Sequence, residues 1–216
     1  MTIGELVTAA LELTSGPGRA ILGVAGAPGA GKTTLVDRLL REARGMVGDD
    51  AVAHVPMDGF HLGDAQLDRL GLRDWKGAPE TFDAAGYAAI LHRIRTMTDE
   101  PVYVPGFTRE LEQPLAAALV VPPAARLILT EGNYLLLDQP AWRSVREQLD
   151  QLWFVTRDEQ QRVAQLIQRH IRSGKAPDAA REWVMRNDQP NAELVARSAA
   201  AADRVVINHG GFRFLR

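Results

Sequence analysis

Eight residues near the N-terminus constrain the fold more than any other segment. The sequence Gly26-Ala27-Pro28-Gly29-Ala30-Gly31-Lys32-Thr33 follows an apolar run over 20–25 and precedes leucines at helical spacing over 32–43. It matches the pattern G-x-x-x-x-G-K-[ST] in full, in the strand–loop–helix context that this pattern requires. A chance match in a chain of this length has odds on the order of one in a hundred. The segment therefore predicts a glycine-rich loop that joins a buried strand to a helix.

The chemistry of such a loop, a P-loop, is the binding of a polyphosphate. Glycines let successive backbone N–H groups turn inward around a phosphate, and the following helix offers its N-terminal donors and dipole to the anion. Lys32 is expected to reach the β- and γ-phosphates of ATP, and the hydroxyl of Thr33 to ligate Mg²⁺. The predicted ATP-binding residues are Gly26, Ala27, Pro28, Gly29, Ala30, Gly31, Lys32, Thr33 and Thr34.

The rest of the chain reads as alternating strands and helices, with irregular segments over 59–81 and 101–121. Such alternation is typical of an α/β fold, in which helices cover both faces of a parallel sheet. A length of 216 residues predicts a single domain over 1–216. Further strands are predicted over 51–56, 126–130, 152–156 and 204–207, and helices over 3–13, 83–96, 158–172, 179–186 and 191–200.

Composition excludes several classes of protein. The chain contains no cysteine, which removes disulfides, thiolate catalysis and cysteine-based zinc sites. A net charge of −2 gives no basic footprint for nucleic acid. The first ten residues contain Glu5 and no basic residue, unlike a secretory signal, and the longest apolar run, 115–125, is too short to span a membrane. We therefore expect a cytoplasmic protein with no nucleic-acid or membrane partner.

Other classes of P-loop protein carry signatures that this chain lacks. The guanine-reading sequence N-K-x-D and the transporter signature LSGGQ are both absent. Asp83-Ala84-Ala85-Gly86 matches the D-x-x-G switch of GTPases, but it lies at a predicted helix start, where Asp83 is expected to be the N-cap. The remaining interpretation is a compact kinase.

Two carboxylates are expected beside the phosphate loop. Ligands of open α/β sheets bind at the carboxyl ends of the strands, and there Asp58 follows the second predicted strand and Glu131 the third. We assign Asp58 as the catalytic base that accepts the proton of the acceptor hydroxyl, and Glu131 to Mg²⁺ or substrate. The alternatives are a turn residue before glycine for Asp58 and a helix cap for Glu131.

Four further segments carry a resemblance to a known superfamily. They are Pro56-Met57-Asp58-Gly59-Phe60-His61-Leu62, Lys76-Gly77-Ala78-Pro79-Glu80-Thr81-Phe82-Asp83, Glu131-Gly132-Asn133-Tyr134-Leu135-Leu136 and Asn187-Asp188. With the phosphate loop, they make nearly the whole chain resemble the uridine kinase, phosphoribulokinase and bacterial pantothenate kinase superfamily, and within it the fructose transport system kinase-like (nucleoside/nucleotide kinase-like) branch. The resemblance implies a three-layer P-loop NTPase fold with a five-stranded parallel sheet and a small helical lid near residues 169–187.

The resemblance also implies catalytic residues. It makes Asp58 the base, beside Lys32, and it places an arginine of the lid helix on the ATP phosphates, which Arg169 matches best. The chain departs from the pattern at Gln165, where relatives often carry a second arginine. The alternatives that would supply this charge instead are Arg162, Arg172 or Lys175.

Five residues are candidates for the acceptor side of the site, each with a structural alternative. Arg109 resembles a substrate-contacting arginine of the family, or is an exposed loop residue. Lys76, like Glu80, shapes the acceptor pocket or is a solvated charge. His61 lines the pocket or has a structural use, and Tyr134 stacks on the substrate or packs with a hydrogen-bonded hydroxyl. The predicted substrate residues are Asp58, His61, Lys76, Arg109, Glu131 and Tyr134.

The sequence as a whole predicts an ATP- and Mg²⁺-dependent phosphotransferase that acts on a hydroxyl of a sugar, a nucleoside or a pantothenate-like alcohol. The alternative is a nucleotide-binding regulatory module with little or no transferase activity. The sequence does not decide between a monomer and a homodimer. Segment 203–208 is expected to form part of the adenine pocket. The tryptophans, interpreted as packing residues, are Trp75, Trp142, Trp153 and Trp183.

Overall fold

The structure is a computed structural model that describes residues 3–215. Its strands are β1 (Ala20–Gly26), β2 (Val52–Pro56), β3 (Val102–Thr108), β4 (Gln113–Val121), β5 (Leu127–Gly132), β6 (Gln151–Thr156), β7 (Arg204–Asn208) and β8 (Phe212–Phe214). Its helices are α1 (Ile3–Glu12), α2 (Lys32–Val47), α3 (Asp64–Leu70), α4 (Ala84–Thr96), α5 (Pro140–Arg146), α6 (Glu159–Arg172), α7 (Pro177–Trp183) and α8 (Gln189–Ala196).

The central sheet has six strands in the order β2-β5-β1-β6-β7-β8. The first five are parallel, as predicted, and β1 lies between β5 and β6, with Gly23 opposite both Thr130 and Leu152. The sixth strand, β8, pairs antiparallel with β7 and was not predicted. It has only three residues, too few for a recognisable alternation of polar and apolar side chains.

Both faces of the sheet are covered, which gives three layers. Side chains alternate along β1, so that Ile21 and Ala25 pack on one face while Leu22 and Val24 pack on the other. Helices α1 and α2 cover the Leu22 face, and α4, α5 and α8 cover the Ile21 face. Every residue of β1 and β5 is buried, so the strand ends that carry the glycine-rich loop and Glu131 are held by a rigid core.

Four elements lie where the sequence predicted irregular chain or no element. Strands β3 and β4 form an antiparallel hairpin within the segment 101–121, α3 lies within 59–81, and α5 follows β5. The hairpin escaped prediction because Pro105 and Pro114 argue against a strand, although an edge strand tolerates proline. Pro105 lies at the register shift between Val104 and Gly106.

The last helices after β6 follow one another along the chain without the break that was predicted. The helix predicted over 179–186 ends at Trp183, and a π-helical turn, Val184–Asp188, leads directly into α8. The break predicted before residue 191 is therefore wrong. Pro190 lies in the first turn of α8, directly after the π-helical turn.

Two polar side chains stabilise local structure through hydrogen bonds to the backbone, one as an acceptor and the other as a donor. Asp83 caps α4 by accepting a hydrogen bond from the backbone N–H of Gly86, which confirms the cap interpretation. The buried Arg19 donates instead to five backbone carbonyls from segments 94–97 and 122–125. We call this set of bonds the Arg19 clasp, because it joins the end of α4 to the turn before β5.

Among the helices of residues 3–215, none is at once long enough and apolar enough to cross a membrane.

Candidate active site

The glycine-rich loop connects β1 to α2 in a conformation that only glycine allows. Gly29 and Gly31 have φ angles of +78° and +100°, a region that side chains disfavour. A Cβ atom at Gly29 would meet Leu166 at 2.7 Å, and one at Gly31 would meet Asn208 at 2.4 Å. The loop is therefore packed against α6 and β7 with no room for a side chain at these two positions. Loops of this kind turn backbone N–H groups toward an anion.

Lys32 lies at the start of α2 with its side chain buried in the site. Its ammonium group donates hydrogen bonds to the carbonyl of Ala27 at 3.2 Å and to Oδ1 of Asn133 at 2.6 Å. Burial lowers the pKa of Lys32, and the nearby charges of Glu131 and Asp58 oppose that effect. A buried cation with neutral hydrogen-bond partners is well suited to a polyphosphate.

Glu131 and Thr33 provide two oxygen atoms beside the loop. The hydroxyl of Thr33 donates to the Glu131 carboxylate at 3.2 Å. Burial raises the pKa of Glu131 to about 7, with the charge of Asp58 acting in the same direction and Lys32 against it. Strand β5 runs on through Gly132, so Glu131 lies inside the strand. The sequence had predicted that Glu131 follows the strand, and this position is wrong by two residues at the strand end.

The donor set fits Mg²⁺, which takes oxygen ligands and keeps several waters. Within residues 3–215, no group of three or more His, Asp or Glu side chains could hold a metal by itself. A cation at Thr33 and Glu131 would therefore take its other ligands from water and from a bound phosphate.

Asp58 faces the same cleft from a short 3₁₀ turn, Met57–Phe60, that directly follows β2. Pro56 pairs with Glu131 in the sheet, so the two carboxylates leave neighbouring strand ends. The cleft between them and Lys32 is a cavity of about 380 Å³. The structure thus brings together the three charged residues that the sequence assigned to the reaction centre.

The acceptor side of the cleft has an aromatic wall and several charged groups. The ring of His61 stacks on Phe82 with centroids 3.9 Å apart, and Phe107 lies 5.4 Å away. Lys76 forms an ion pair with Asp64 at 2.6 Å. His61, Lys76 and Arg109 all line the cleft, so these three of the six predicted substrate residues face the space that a ligand would occupy. Glu80, by contrast, is exposed to solvent and lies outside the cleft lining.

Tyr134 is placed differently from the prediction that it stacks on a substrate. Its side chain is 0% exposed and packs against Phe82 and Trp142, while its hydroxyl donates to the carbonyl of Gly77. The packing alternative is therefore correct. Trp75 was predicted to be a packing residue, and this is wrong because its side chain is 57% exposed.

Helix α6 supplies the cations on the far side of the loop. Arg169 lines the cleft, as expected for a residue that meets phosphates. Arg162 is buried, where it donates to the carbonyl of Pro28 at 3.2 Å and to Gln189 at 2.6 Å, so it supports the loop backbone. Lys175 lines the cleft with its ammonium group 4.4 Å from the ring of Trp183, whereas Arg172 bonds back to its own helix at Gln168.

Three asparagines belong to the site although the sequence gave them no role of their own. Asn133 accepts from Lys32, Asn208 donates to the carbonyl of Ala30 at 2.8 Å, and Asn187 donates to the carbonyl of Asp74 at 3.3 Å. Asn133 and Asn187 lie in segments that were singled out as motifs, and this was the available signal. Their partners are 101 and 113 residues away in the chain, so the contacts themselves could not be predicted.

Comparisons with known proteins agree with this geometry. The chain is 32% identical over 208 residues to a candidate uridine kinase of Schizosaccharomyces pombe, with 94% of this chain and 88% of that protein covered. It is 32% identical over 159 residues to an ATP-dependent kinase-like protein of Aspergillus versicolor, with coverages of 69% and 92%. No protein-family model matches the sequence.

A solved structure shows the same fold. The crystal structure of a candidate fructose transport system kinase from Silicibacter sp. TM1040 superposes with a TM-score of 0.84. The two chains are 35% identical, and the alignment covers 95% of this chain and 98% of the other.

Proposed function

This chain belongs to the uridine kinase-like family of P-loop kinases, and we propose that it moves the γ-phosphoryl group of Mg-ATP to a hydroxyl group of a small molecule. One observation carries the proposal. A buried lysine on a glycine-rich loop, a Thr–Glu oxygen pair and a separate carboxylate, Asp58, all face one cleft. Phosphoryl transfer needs positioning and charge stabilisation more than covalent chemistry, and these groups supply both.

Each residue has a part in the transfer. Lys32 binds the β- and γ-phosphates, and Thr33 with Glu131 holds Mg²⁺, which when bound neutralises charge that develops on the phosphates. Asp58 accepts the proton of the acceptor hydroxyl as the new O–P bond forms and the bond between the γ-phosphorus and the β-phosphate oxygen breaks. ADP and a phosphorylated alcohol are the products.

The helices after β6 are proposed to act as a lid. Arg169 and Lys175 face the cleft from α6 and from the turn that follows it. Closure over bound ATP would bring both cations toward the γ-phosphate and exclude water, which limits wasteful hydrolysis.

The acceptor is proposed to be a sugar, a nucleoside or a pantothenate-like alcohol. The name of the Schizosaccharomyces relative favours testing nucleosides first, and the rings of His61 and Phe107, inclined by 49° to each other, line the cleft as aromatic contacts for a base. Lys76 and Arg109 offer cationic groups to a carboxylate or a polar sugar. A thermal-shift panel of these compounds with an ATP analogue would separate them, since a ligand of the native state raises stability.

The decisive variant is Asp58→Asn. We expect acceptor-dependent ATP consumption to fall by roughly 10²- to 10⁴-fold, the usual contribution of a general base, while calorimetry shows unchanged ATP binding. Asp138→Asn is the matched control, because Asp138 is exposed and pairs with Arg143 outside the cleft. Turnover that survives in Asp58→Asn would disprove the role of this carboxylate. ATP binding without turnover on any acceptor would favour the nucleotide-binding regulatory module instead.

A further inference from the structure

One arginine at the edge of the central sheet has no partner in the chain. Arg157 follows β6 directly and is half-buried. Its Nε atom is enclosed, and its side chain makes no hydrogen bond or ion pair within residues 3–215. The adjoining carboxylate, Asp158, is used instead to cap α6 through the backbone N–H of Gln161. A buried donor without a partner destabilises the folded protein, so the contacts of the chain itself do not explain this position.

The other buried and half-buried arginines of residues 3–215 show that this is exceptional. Each of them donates to a backbone carbonyl, pairs with a carboxylate or lies over an aromatic ring: Arg19, Arg38, Arg44, Arg95, Arg146 and Arg162. The guanidinium group of Arg157 is therefore the one in this set that is uncommitted, and it remains available to a ligand.

The sheet places Arg157 beside the phosphate loop. In the register of the strands, Val155 lies opposite Gly26, the first residue of the glycine-rich loop, and Thr156 lies opposite Ile207 of β7. Arg157 thus leaves the carboxyl end of β6 between that loop and the end of β7. Ligands of open α/β sheets bind along this edge.

The acceptor side of the cleft lies on the opposite side of the loop. In the strand order β2-β5-β1-β6-β7, Asp58 follows β2 and Glu131 lies at the end of β5, whereas Arg157 follows β6. A nucleoside triphosphate whose γ-phosphate faces Asp58 therefore extends its nucleoside the other way along the edge, toward β6 and β7.

The turn after β7 leaves room for a planar group. Asn208 holds the start of this turn to the phosphate loop, because its side-chain amide donates to the carbonyl of Ala30 at 2.8 Å. Gly210 and Gly211 follow, and beyond their neighbours in the chain no atom lies within 4 Å of a Cβ atom added to either. A backbone without side chains allows a ligand to approach closely.

We propose that Arg157 binds the nucleobase of the triphosphate by stacking its planar guanidinium group on the ring. The inference rests on the proposed function, because it takes a nucleoside triphosphate to be the ligand of the phosphate loop. A guanidinium group is planar and weakly hydrated, so it stacks on aromatic faces as an ammonium group cannot. Arg157 then contributes affinity for the nucleotide, and its cost to stability belongs to binding.

Two probes separate the base from the phosphates. One is a non-hydrolysable ATP analogue with Mg²⁺, and the other is inorganic tripolyphosphate with Mg²⁺, which lacks the nucleoside. Calorimetry measures both dissociation constants. In Arg157→Leu we expect the dissociation constant of the analogue to rise about three- to thirtyfold, the scale of a cation stacked on a ring, and that of tripolyphosphate to stay unchanged.

Further variants distinguish stacking from a structural role. Arg157→Lys keeps the charge without the planar surface, so it should bind the analogue more weakly than the unmodified protein does. Arg157→Leu loses no side-chain hydrogen bond within residues 3–215, so its denaturation midpoint without ligand should be no lower than that of the unmodified protein. Arg41→Leu is the matched control, because the side chain of Arg41 is 70% exposed on α2, and it should bind both probes normally.

The outcomes separate this inference from the proposed function. An unchanged dissociation constant of the analogue in Arg157→Leu would overturn the base contact and leave the kinase proposal intact. An equal loss for the analogue and for tripolyphosphate would also overturn it, because the cation would then contact phosphates. A lower denaturation midpoint in Arg157→Leu would assign the loss to the fold, with the same consequence. Failure of both probes to bind the unmodified protein would overturn the proposed function as well.

Discussion

At the scale of single residues, His54 on β2 is a neutral histidine held in a place where it cannot be solvated. Its Nε2 atom is enclosed and has no hydrogen-bond partner within residues 3–215. Burial lowers the pKa of His54 to about 4, with the charge of Arg44 acting in the same direction and that of Asp58 against it. Because the unfolded chain keeps an ordinary pKa near 6.5, it binds more protons between these two values.

The sign of the resulting pH dependence follows. His54 contributes full stability above about pH 6.5, and this is lost as pH falls through 4. We expect His54→Leu to reduce the loss of unfolding free energy between pH 7.5 and 4.5 by roughly 2–3 kcal/mol. Denaturant titrations at both pH values measure this, with the exposed His92→Gln as control. Equal pH dependence in His54→Leu and the unmodified protein would contradict it.

The polar groups of the site were predictable to different degrees. Lys32 could be found because it has a fixed place in the glycine-rich loop motif, and Asp58 and Glu131 because they lie next to or within the carboxyl ends of strands, places that sequence patterns record. Asn133 and Arg162 could not be assigned their contacts, because a hydrogen bond to a loop over 100 residues away leaves no local pattern. Tyr134 was misplaced because an aromatic ring with a polar tip suits a pocket and a core equally well.

At the scale of elements, the turn that carries Asp58 is held against the β3–β4 hairpin by a very close approach at Gly59. A Cβ atom there would lie 2.4 Å from the backbone oxygen of Pro105, which cannot rotate away. We expect Gly59→Ala to lower the free energy of unfolding by about 1–3 kcal/mol, as overpacking does, and to reduce turnover because Asp58 moves with the turn.

A nearby glycine provides the control. At Gly63 the nearest atom to an added Cβ is the Gln113 oxygen at 3.6 Å, an ordinary contact, so Gly63→Ala should unfold at nearly the same denaturant concentration as the unmodified protein. The prediction for Gly59 fails if both variants have equal midpoints.

Helices and strands with a strong local sequence signal were predicted, and those without one were missed. Buried strands such as β1, flanked by glycine, and helices with a cap such as α4 were predicted within a few residues, since strong periodicity and Asp83 mark them. The hairpin was missed because Pro105 and Pro114 argue against a strand, and α3 because it has only seven residues with one buried side chain, Leu67. Strand β4 is mostly exposed, so no alternation of buried and exposed side chains marks it.

At the scale of the whole molecule, ligand binding and stability are linked. At about 100 times its dissociation constant, an ATP analogue with Mg²⁺ should stabilise the protein by about 2.7 kcal/mol, which for a chain of this size raises the melting temperature by about 5–10 °C. Lys32→Met should lose most of this shift because the β- and γ-phosphates lose their cation.

Lys76→Met is the matched substitution for a differential scanning fluorimetry test. It removes another lysine that lines the same cleft on the acceptor side, so its baseline stability falls but its nucleotide shift should persist. An equal shift in Lys32→Met and the unmodified protein would exclude Lys32 as a phosphate ligand.

The Arg19 clasp gives the fold a fastening that is insensitive to the chemical state of its surroundings. A chain without cysteine cannot join the end of α4 to the turn before β5 by a covalent bond, and a salt bridge would loosen in acid or salt. A guanidinium group bound to five backbone carbonyls keeps its hydrogen bonds in acid because the carbonyls do not titrate. The cation itself stays protonated even though burial lowers the pKa of Arg19. Oxidants, reductants and moderate acid should therefore leave this junction closed.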